Sequence, residues 1–281
     1  MSTSGRIGFM QGRLSPLVNG LIQAFPWDNW QEEFALASSL GIDVMEWTLD
    51  QERLYENPLL TTDGQKKISD LCNQYSITIP SLTGDCFMQA PFWKSAGAKR
   101  EELKSDFKAV VEACAAVGIV LVVVPLVDNG RLENKEHEDT LVEYLNSQKE
   151  FFASKGIKII FESDFDPENL SRFIARLDEE FFGVNYDIGN SSALGFLSPK
   201  EFEAYGYRIA NVHIKDRPFG GTTVPLGTGD ADFKTVFSLL AGVGYKGNYI
   251  LQTARATDNN HAIILDHYYK MSKEWIECYG A

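Results

Sequence analysis

The sequence predicts one (β/α)8 barrel, a TIM barrel of the α/β class, that spans residues 1–281 as a single domain. Eight short apolar runs alternate with amphipathic helical patterns along nearly the whole chain, and such alternation is typical of parallel strands joined by right-handed helical crossovers. A length of 281 residues suits one barrel. The glycine fingerprint of a dinucleotide-binding fold is absent after the first run, because Gly12 is followed by RLSP (13–16).

The predicted strands are short runs rich in β-branched and aromatic residues. The clearest is 119–124, which is almost purely β-branched and precedes Pro125, as expected of a strand buried on both faces. In chain order the eight runs are 7–10, 42–47, 77–82, 119–124, 157–161, 183–186, 209–214 and 248–252.

Helical patterns separate these runs. Gly41, Gly118 and Gly156 each follow such a pattern directly, and glycine readily takes the left-handed conformation that ends many helices. Asp166-Pro167 is a typical cap and first turn. The predicted helices are 28–40, 62–75, 99–117, 136–155, 166–177, 199–205, 232–241 and 260–279.

Composition narrows the class of partner. The net charge of −13 repels phosphate backbones, so we expect no nucleic-acid partner, although a small phosphorylated ligand needs only a local basic pocket. No apolar run has the length of a signal peptide or a membrane span, so we expect a cytoplasmic protein without a membrane partner. The sequence does not determine the oligomeric state, and a homo-oligomer is one of the alternatives. Four cysteines without metal-ligand spacing are expected to be free thiols: Cys72, Cys86, Cys114 and Cys278.

Four neighbouring strands of the predicted barrel end in polar residues. They are Glu162, Asp187, His213 and Gln252. Active sites of these barrels lie at the carboxyl ends of the strands, so the four side chains should converge on one quadrant of the mouth. Mixed oxygen and imidazole ligands suit one divalent ion, namely Mn²⁺, Co²⁺, Zn²⁺ or Mg²⁺.

Each of the four residues also has a structural interpretation. A carboxylate after a strand can cap a helix, and Asp-Ile-Gly-Asn at 187–190 is a good turn. His213 could be a hydrogen-bonded core histidine. Gln252 alone would be read as structural. The metal-site hypothesis therefore depends on the joint arrangement.

Further candidates surround the mouth. Glu46 ends the second strand and could bind a hydroxyl or transfer a proton, and Arg13 follows the first strand and could bind a carboxylate or phosphate of a substrate. Lys215 and Arg217 precede a glycine-rich run that ends in Gly227-Thr228-Gly229. Backbone amides in such a run can hold an anion, so we expect an anion pocket there, the alternative being a flexible loop.

The loop 14–30 and the remaining histidines complete the list of expectations. The loop is long for a βα connection and rich in aromatic residues, so we consider a role in enclosing a substrate. The other three histidines lie on helical patterns and are interpreted as surface or packing residues: His137, His261 and His267.

Several segments resemble the xylose-isomerase-like barrel superfamily of sugar and sugar-phosphate isomerases and epimerases. They are IGFMQGRLSP (7–16), IIFES (159–163), NYDIGNSSALG (185–195), NVHIKDR (211–217), VPLGTGDADF (224–233) and YILQTAR (249–255). The resemblance implies a metal held by Glu, Asp, His and a second Glu from strands five to eight, with the two glutamates often serving as acid/base groups. By motif, the first three ligands are Glu162, Asp187 and His213.

The chain departs from that pattern at two positions. Gln252 stands where the family has its second glutamate, and an amide oxygen can ligate a hard cation but cannot take a proton. Asn190 stands where many relatives place a histidine, and we assign it to substrate binding. Two-base epimerisation loses one of its bases, whereas one-base isomerisation or dehydration is less affected.

The function expected from these residues is a metal-dependent isomerase or epimerase of a small sugar or sugar phosphate, acting through an enediolate. The metal would polarise a carbonyl and a neighbouring hydroxyl, and Glu162 or Glu46 would remove the carbon-bound proton. A dehydratase of the same superfamily and a non-catalytic sugar-binding protein on this fold are the alternatives, the latter because of Gln252.

Overall fold

The computed structural model describes residues 6–280, so residues 1–5 and 281 of the predicted domain lie outside the described part. Its eight parallel strands close into one barrel in the order β1 to β8, with β8 paired to β1. The strands are β1 (Ile7–Met10), β2 (Val44–Thr48), β3 (Thr78–Thr83), β4 (Leu121–Leu126), β5 (Lys158–Ser163), β6 (Phe182–Asp187), β7 (Ile209–Ile214) and β8 (Tyr249–Leu251). The predicted barrel and its eight strands are confirmed.

Helices surround the barrel, and most lie where the sequence predicts them. They are α1 (Glu32–Ser39), α2 (Thr62–Tyr75), α3 (Asp85–Gln89), α4 (Gly97–Val117), α5 (Lys135–Ser147), α6 (Lys149–Lys155), α7 (Pro167–Ile174), α8 (Ile188–Leu194), α9 (Ser198–Tyr205), α10 (Phe233–Gly242) and α11 (His261–Tyr279). None of these helices has the length and apolarity to cross a membrane.

Two features of the helical layer differ from the prediction. The helix expected at 136–155 is broken at Gln148, whose φ of −104° and ψ of 6° leave the helical region and separate α5 from α6. The short helices α3 and α8 follow β3 and β6 directly, and we predicted neither of them. Both are too short to show a clear helical period.

The interior of the barrel is polar near its mouth. Alternation along the strands turns Glu46 of β2 and both Asn211 and His213 of β7 to the inside. Asn211 Nδ2 donates to Glu46 Oε2 at 2.9 Å across the barrel. Most of the apolar core lies between the strands and the helices, where the loop 14–30 also packs: Phe25 and Trp30 lie 5.4 and 5.7 Å from the ring of Trp47. The aromatic residues of that loop therefore serve packing.

Candidate metal centre

Glu162, Asp187 and His213 meet at the carboxyl ends of β5, β6 and β7. One ligand atom from each lies within 4.8 Å of the others. His213 Nδ1 is 3.2 Å from Glu162 Oε2 and 3.9 Å from Asp187 Oδ2. All three side chains are buried. The convergence follows from the strand register, which sets Asp187 beside His213.

The other nitrogen of His213 binds Glu46. The distance from Nε2 to Glu46 Oε1 is 2.7 Å, and both side chains have no exposed surface. Burial acts to lower the pKa of His213, but the negative charges of Glu46 and Glu162 outweigh it and raise the pKa to about 10. Glu46 thereby orients the ring so that Nδ1 points to Glu162 and Asp187, as carboxylates behind metal-binding histidines do.

The expected acid/base role of Glu46 does not fit this position. In addition to His213, its carboxylate accepts hydrogen bonds from Ser81 Oγ at 2.6 Å, Thr83 Oγ1 at 2.5 Å and Asn211 Nδ2 at 2.9 Å. Burial opposes ionisation, but these contacts and the His213 charge lower the pKa of Glu46. The oxygens of Glu46 are thus occupied beneath the mouth, an arrangement that suits a residue that positions His213. The sequence correctly places Glu46 in β2 near its carboxyl end. Its contact with His213 depends on the position of β7 across the barrel, which the sequence alone does not give.

Two asparagines hold the Glu162 carboxylate. Asn190 Nδ2 donates to Oε1 at 2.6 Å, and Asn185 Nδ2 lies 3.1 Å from both Oε2 and His213 Nδ1. Burial acts to raise the pKa of Glu162, yet its bond to His213 and the charge of Lys215 hold the pKa below the ordinary value. Glu162 is thus an ionised carboxylate, ready to bind a cation or accept a proton. We had not singled out Asn185, although its alternation with Asp187 along β6 could have identified it.

Asn190 links the remaining polar residues of the mouth to Asp187. Its backbone N–H donates to Asp187 Oδ1 at 2.8 Å, and the Asp187 side chain thereby caps the start of α8. Its Oδ1 accepts from Arg217 Nη1 at 2.7 Å and from Lys215 Nζ at 3.2 Å. Lys215 Nζ also lies 2.7 Å from Asp187 Oδ2. A Cβ on Gly189 would come within 2.7 Å of Lys215 Cγ, so only glycine lets the lysine pass over the first turn of α8.

Gln252 directly follows β8 and is paired with the end of β7. Its backbone N–H donates to Ile214 O at 3.0 Å, and its Nε2 donates to Gln23 Oε1 at 2.7 Å. Its Oε1 is buried and has no hydrogen-bond partner among the described residues. A buried carbonyl oxygen without a donor loses free energy, because water has been removed and nothing replaces it. A cation is one partner that would satisfy this oxygen.

The residues present fit a divalent ion. One ligand atom from each of Glu162, Asp187 and His213 lies close to the other two, and the unpartnered oxygen of Gln252 is a candidate fourth donor. Carboxylate oxygens and an imidazole nitrogen are donors that Mn²⁺, Co²⁺ and Zn²⁺ accept. A bound cation would replace the proton of His213 as the positive charge among these carboxylates.

The anion pocket expected at the glycine-rich run is not formed. The backbone amides of Gly227 and Gly229 donate to Asp216 Oδ2 at 2.8 and 2.9 Å, so the chain's own carboxylate fills this cradle. Arg217 donates to Gly221 O at 3.0 Å through Nε in addition to its bond to Asn190. The basic side chains of this segment therefore serve the loop and the metal-ligand group. Asp216, which directly follows Lys215, is the sequence feature that could have indicated that these amides bind an internal carboxylate.

Asp85 and Gln23 complete the mouth from its other side. Gln23 Nε2 donates to Asp85 Oδ2 at 2.6 Å. Burial raises the pKa of Asp85 to about 7, and the charges of Asp50 and Glu162 add to this effect despite the Gln23 hydrogen bond. A carboxyl group with a pKa near neutrality at an active-site mouth can exchange protons at physiological pH. We did not predict either residue, because Gln23 lies in the loop 14–30 and Asp85 begins α3, which is too short to show a helical period.

Comparisons with known proteins agree with the fold. A sequence profile of the xylose isomerase-like TIM barrel family matches residues 34–276. L-ribulose-5-phosphate 3-epimerase UlaE of Salmonella paratyphi A is 24% identical over 247 residues, which cover 83% of this chain and 85% of the relative.

Solved structures give the same result. A xylose isomerase domain protein from Planctomyces limnophilus superposes with a TM-score of 0.75 at 15% identity over 99% of both chains. D-psicose 3-epimerase from Clostridium cellulolyticum H10, solved with D-tagatose, has a TM-score of 0.73 at 12% identity and covers 98% of this chain and 99% of its own.

Fold and site thus define a (β/α)8-barrel protein with a buried carboxylate–histidine cluster at the carboxyl ends of its strands. The chain belongs to the xylose isomerase-like TIM barrel family. The resemblance noted in the sequence is confirmed.

Proposed function

We propose that this enzyme is a metal-dependent isomerase or epimerase of a small sugar or sugar phosphate, acting through an enediolate. The observation that carries the proposal is the convergence of Glu162, Asp187 and His213. The buried, unpartnered oxygen of Gln252 is the candidate for a fourth ligand. The names of relatives support the substrate class, since UlaE is an L-ribulose-5-phosphate 3-epimerase.

In this proposal the four ligands hold Mn²⁺, Co²⁺, Zn²⁺ or Mg²⁺, which when bound polarises the substrate carbonyl and stabilises enediolate charge. Glu162 is the base that takes the carbon-bound proton, since it is ionised and lies at the mouth. Asn190 positions that carboxylate through its 2.6 Å hydrogen bond. Lys215 and Arg217 hold Asn190 in place, and through it they orient the base.

The number of bases separates isomerisation from epimerisation. Gln252 cannot take a proton, so the Glu162 carboxylate would both remove and return the proton in an isomerisation. Epimerisation needs a second acid on the opposite face of the carbon. Asp85 is the candidate, because Gln23 joins it to Gln252 through hydrogen bonds of 2.6 and 2.7 Å.

Deuterium exchange tests the proposal. The metal-loaded protein, incubated in D₂O with a panel of free and phosphorylated ketoses, should introduce deuterium beside the carbonyl of at least one sugar, as followed by NMR. Glu162→Gln should abolish the exchange because it removes the base. Glu203→Gln, on the exposed side of α9, removes the same charge and should leave the exchange unchanged.

A second candidate function is a sugar-binding protein without catalysis. It is favoured by Gln252, which removes a family acid/base group, and by the occupied oxygens of Glu46. One divalent ion per chain, sugar binding, and no exchange with any member of the panel would support this alternative and contradict the enzyme proposal.

A further inference from the structure

Two arginines, Arg13 buried and Arg255 partly buried, converge on one carbonyl oxygen on the far side of the mouth. Arg13 Nη1 donates to Ile22 O at 2.8 Å, and Arg255 Nη1 lies 3.5 Å from the same atom. Arg13 follows β1 and Arg255 follows β8, and the pairing of β1 with β8 brings these two loops together. A shared acceptor places two like charges only a few ångströms apart.

These charges have no direct counter-ion. Within residues 6–280, neither Arg13 nor Arg255 has a carboxylate oxygen within 4.0 Å. The nearby Glu33 uses its oxygens for the backbone amides of Gly12 and Leu14 at 2.9–3.0 Å, and burial raises its pKa to about 7. Burial and the charge of Arg255 lower the pKa of Arg13 to about 9. Buried charges in proteins are normally paired, and the opposing charges that act on Arg13, those of Asp85 and Glu33, lie out of salt-bridge contact with it.

Unused hydrogen-bond donors accompany the two guanidinium groups. Among the described residues, the Nε atoms of Arg13 and Arg255 are buried without an acceptor, and both ring nitrogens of His261 are buried without a hydrogen-bond partner. Arg13 and His261 are each only 4% exposed. His261 is the first residue of α11, and burial followed by the charge of Arg255 lowers its pKa, with Arg13 acting in the same direction and Asp258 in the opposite one. We had interpreted His261 as a surface or packing residue; it is buried and unpaired.

One side chain separates this cluster from the metal ligands. Gln23 Oε1 accepts from Gln252 Nε2 at 2.7 Å and lies 3.4 Å from Arg13 Nη2. A small substrate bound between Glu162 and Gln252 could therefore reach the arginines with its far end. The basic residues on the opposite side, Lys215 and Arg217, are already bonded within the protein.

We propose that Arg13, Arg255 and His261 form the binding site for a phosphate monoester group of the substrate. This inference rests on the proposed function for the identity of the ligand as a sugar phosphate. Two guanidinium groups and an imidazole match a dianion with three free oxygens better than a carboxylate, which has two oxygens and one charge. The phosphate oxygens would replace Ile22 O as the shared acceptor.

Calorimetric titration with inorganic phosphate tests this site without any catalytic step. Chelator-treated protein should bind phosphate, and Arg255→Gln should weaken binding by roughly 10- to 100-fold, as expected when a hydrogen bond to a charged group is lost. Arg172→Gln removes the same charge on α7, where it pairs with Glu138, and should bind phosphate like the unaltered protein. Acetate should bind at least about tenfold more weakly than phosphate, because it carries half the charge.

The outcomes separate this inference from the proposed function. Metal binding with no phosphate binding, equal weakening by the two arginine substitutions, or acetate bound as tightly as phosphate would overturn the phosphate site. Phosphate binding that depends on Arg255, in a protein that binds no divalent metal, would support the site and contradict the proposed function. Arg255 also donates to Ser15 O, so if Arg255→Gln does not fold, His261→Asn replaces it with the same expected weakening.

Discussion

At the scale of single residues, the environment of His213 decides what the site can do. One ring nitrogen is 2.7 Å from a fully buried carboxylate and the other faces two further carboxylates. A carboxylate behind a histidine fixes the ring orientation and strengthens the nitrogen in front as a ligand. Glu46 would therefore influence a metal bound by His213 without touching it or the substrate.

Glu46→Gln should weaken metal binding by about 10- to 100-fold, the usual effect of removing such a partner. The side-chain shape is retained, but the glutamine no longer supplies the negative charge that pairs with His213. Titration of chelator-treated protein with Mn²⁺ or Zn²⁺ measures the affinity. Glu138→Gln, a buried carboxylate on α5 paired with Arg172 and Arg176, is the matched control and should bind metal normally. Equal affinities of all three proteins would show that Glu46 does not position His213.

Gln252→Glu should act in the opposite direction. The unpartnered oxygen of Gln252 would become part of a carboxylate, which adds a negative charge and a group that can take a proton. We expect tighter metal binding and new or faster exchange of the carbon-bound proton, including inversion at C3 of a ketose. Gln252→Leu removes the oxygen and should weaken metal binding. If neither substitution alters the metal affinity, Gln252 is not a ligand, and the site has three protein ligands.

At the scale of elements, the loops after the strands differ most from expectation. The loop after β7 has the glycines of an anion-binding turn, but Asp216 accepts N–H groups of Gly227, Gly229 and Ala231 at 2.8–3.2 Å. An internal carboxylate thus orders the segment that leads into α10. The short helix α8 begins at Asp187, so one residue serves as helix cap and candidate metal ligand.

Asp216→Ala should lower the free energy of unfolding by about 3 kcal/mol, because three part-buried amides lose their acceptor and each such hydrogen bond contributes about 1 kcal/mol. Asp230→Ala in the same loop removes a single, exposed contact to Phe219 N and should cost no more than about 1 kcal/mol. Urea denaturation measures both values. Similar losses for the two variants would mean that Asp216 does not organise the loop.

At the scale of the whole molecule, closure of the barrel brings distant parts of the chain into one site. Glu46 and His213 are 167 residues apart in sequence, and Gln23 and Gln252 are 229 apart, yet each pair is hydrogen-bonded at 2.7 Å. Burial of this many ionisable groups links the stability of the entire fold to pH.

The raised pKa of Asp85 determines in which direction the free energy of unfolding changes with pH. Its pKa is about 7 when folded against 3.8 as the ordinary value. The folded state therefore holds the proton more tightly than the unfolded chain, and the resulting stabilisation is complete below about pH 4 and is lost as pH rises to about 7. Over that window the free energy of unfolding of chelator-treated protein should fall with pH, by up to about 1.4 kcal/mol per unit for one proton.

Asp85→Asn should flatten this slope, because the amide keeps an acceptor for Gln23 but does not titrate. Asp70→Asn, on the exposed side of α2, should leave the slope as it is. Glu33 has a pKa raised in the same sense and should account for a residual slope in the Asp85 variant. Denaturant titrations between pH 4 and pH 7 measure these slopes. A slope unchanged by Asp85→Asn would show that this carboxyl group is ionised throughout.

The sequence by itself determined the barrel and the candidate ligands. Alternating apolar runs and helical patterns are local properties, and the strand-end rule turns a position in sequence into a position at the mouth. On that basis the chain alone indicated Glu162, Asp187 and His213, whose ligand atoms lie together in the structure. The two short helices were missed because fewer than eight residues carry too little periodicity.

Only the tertiary structure decided how the charges are paired. Local patterns contain no information on which carboxylate meets which cation across a barrel, because those contacts depend on strand register and on the course of loops. Glu46 therefore proved to lie beneath His213, the amides of Gly227 and Gly229 proved to bind Asp216, and Arg13 proved to lie beside Arg255. Burial then set the protonation of these groups, since removal of water disfavours any charge that lacks a partner.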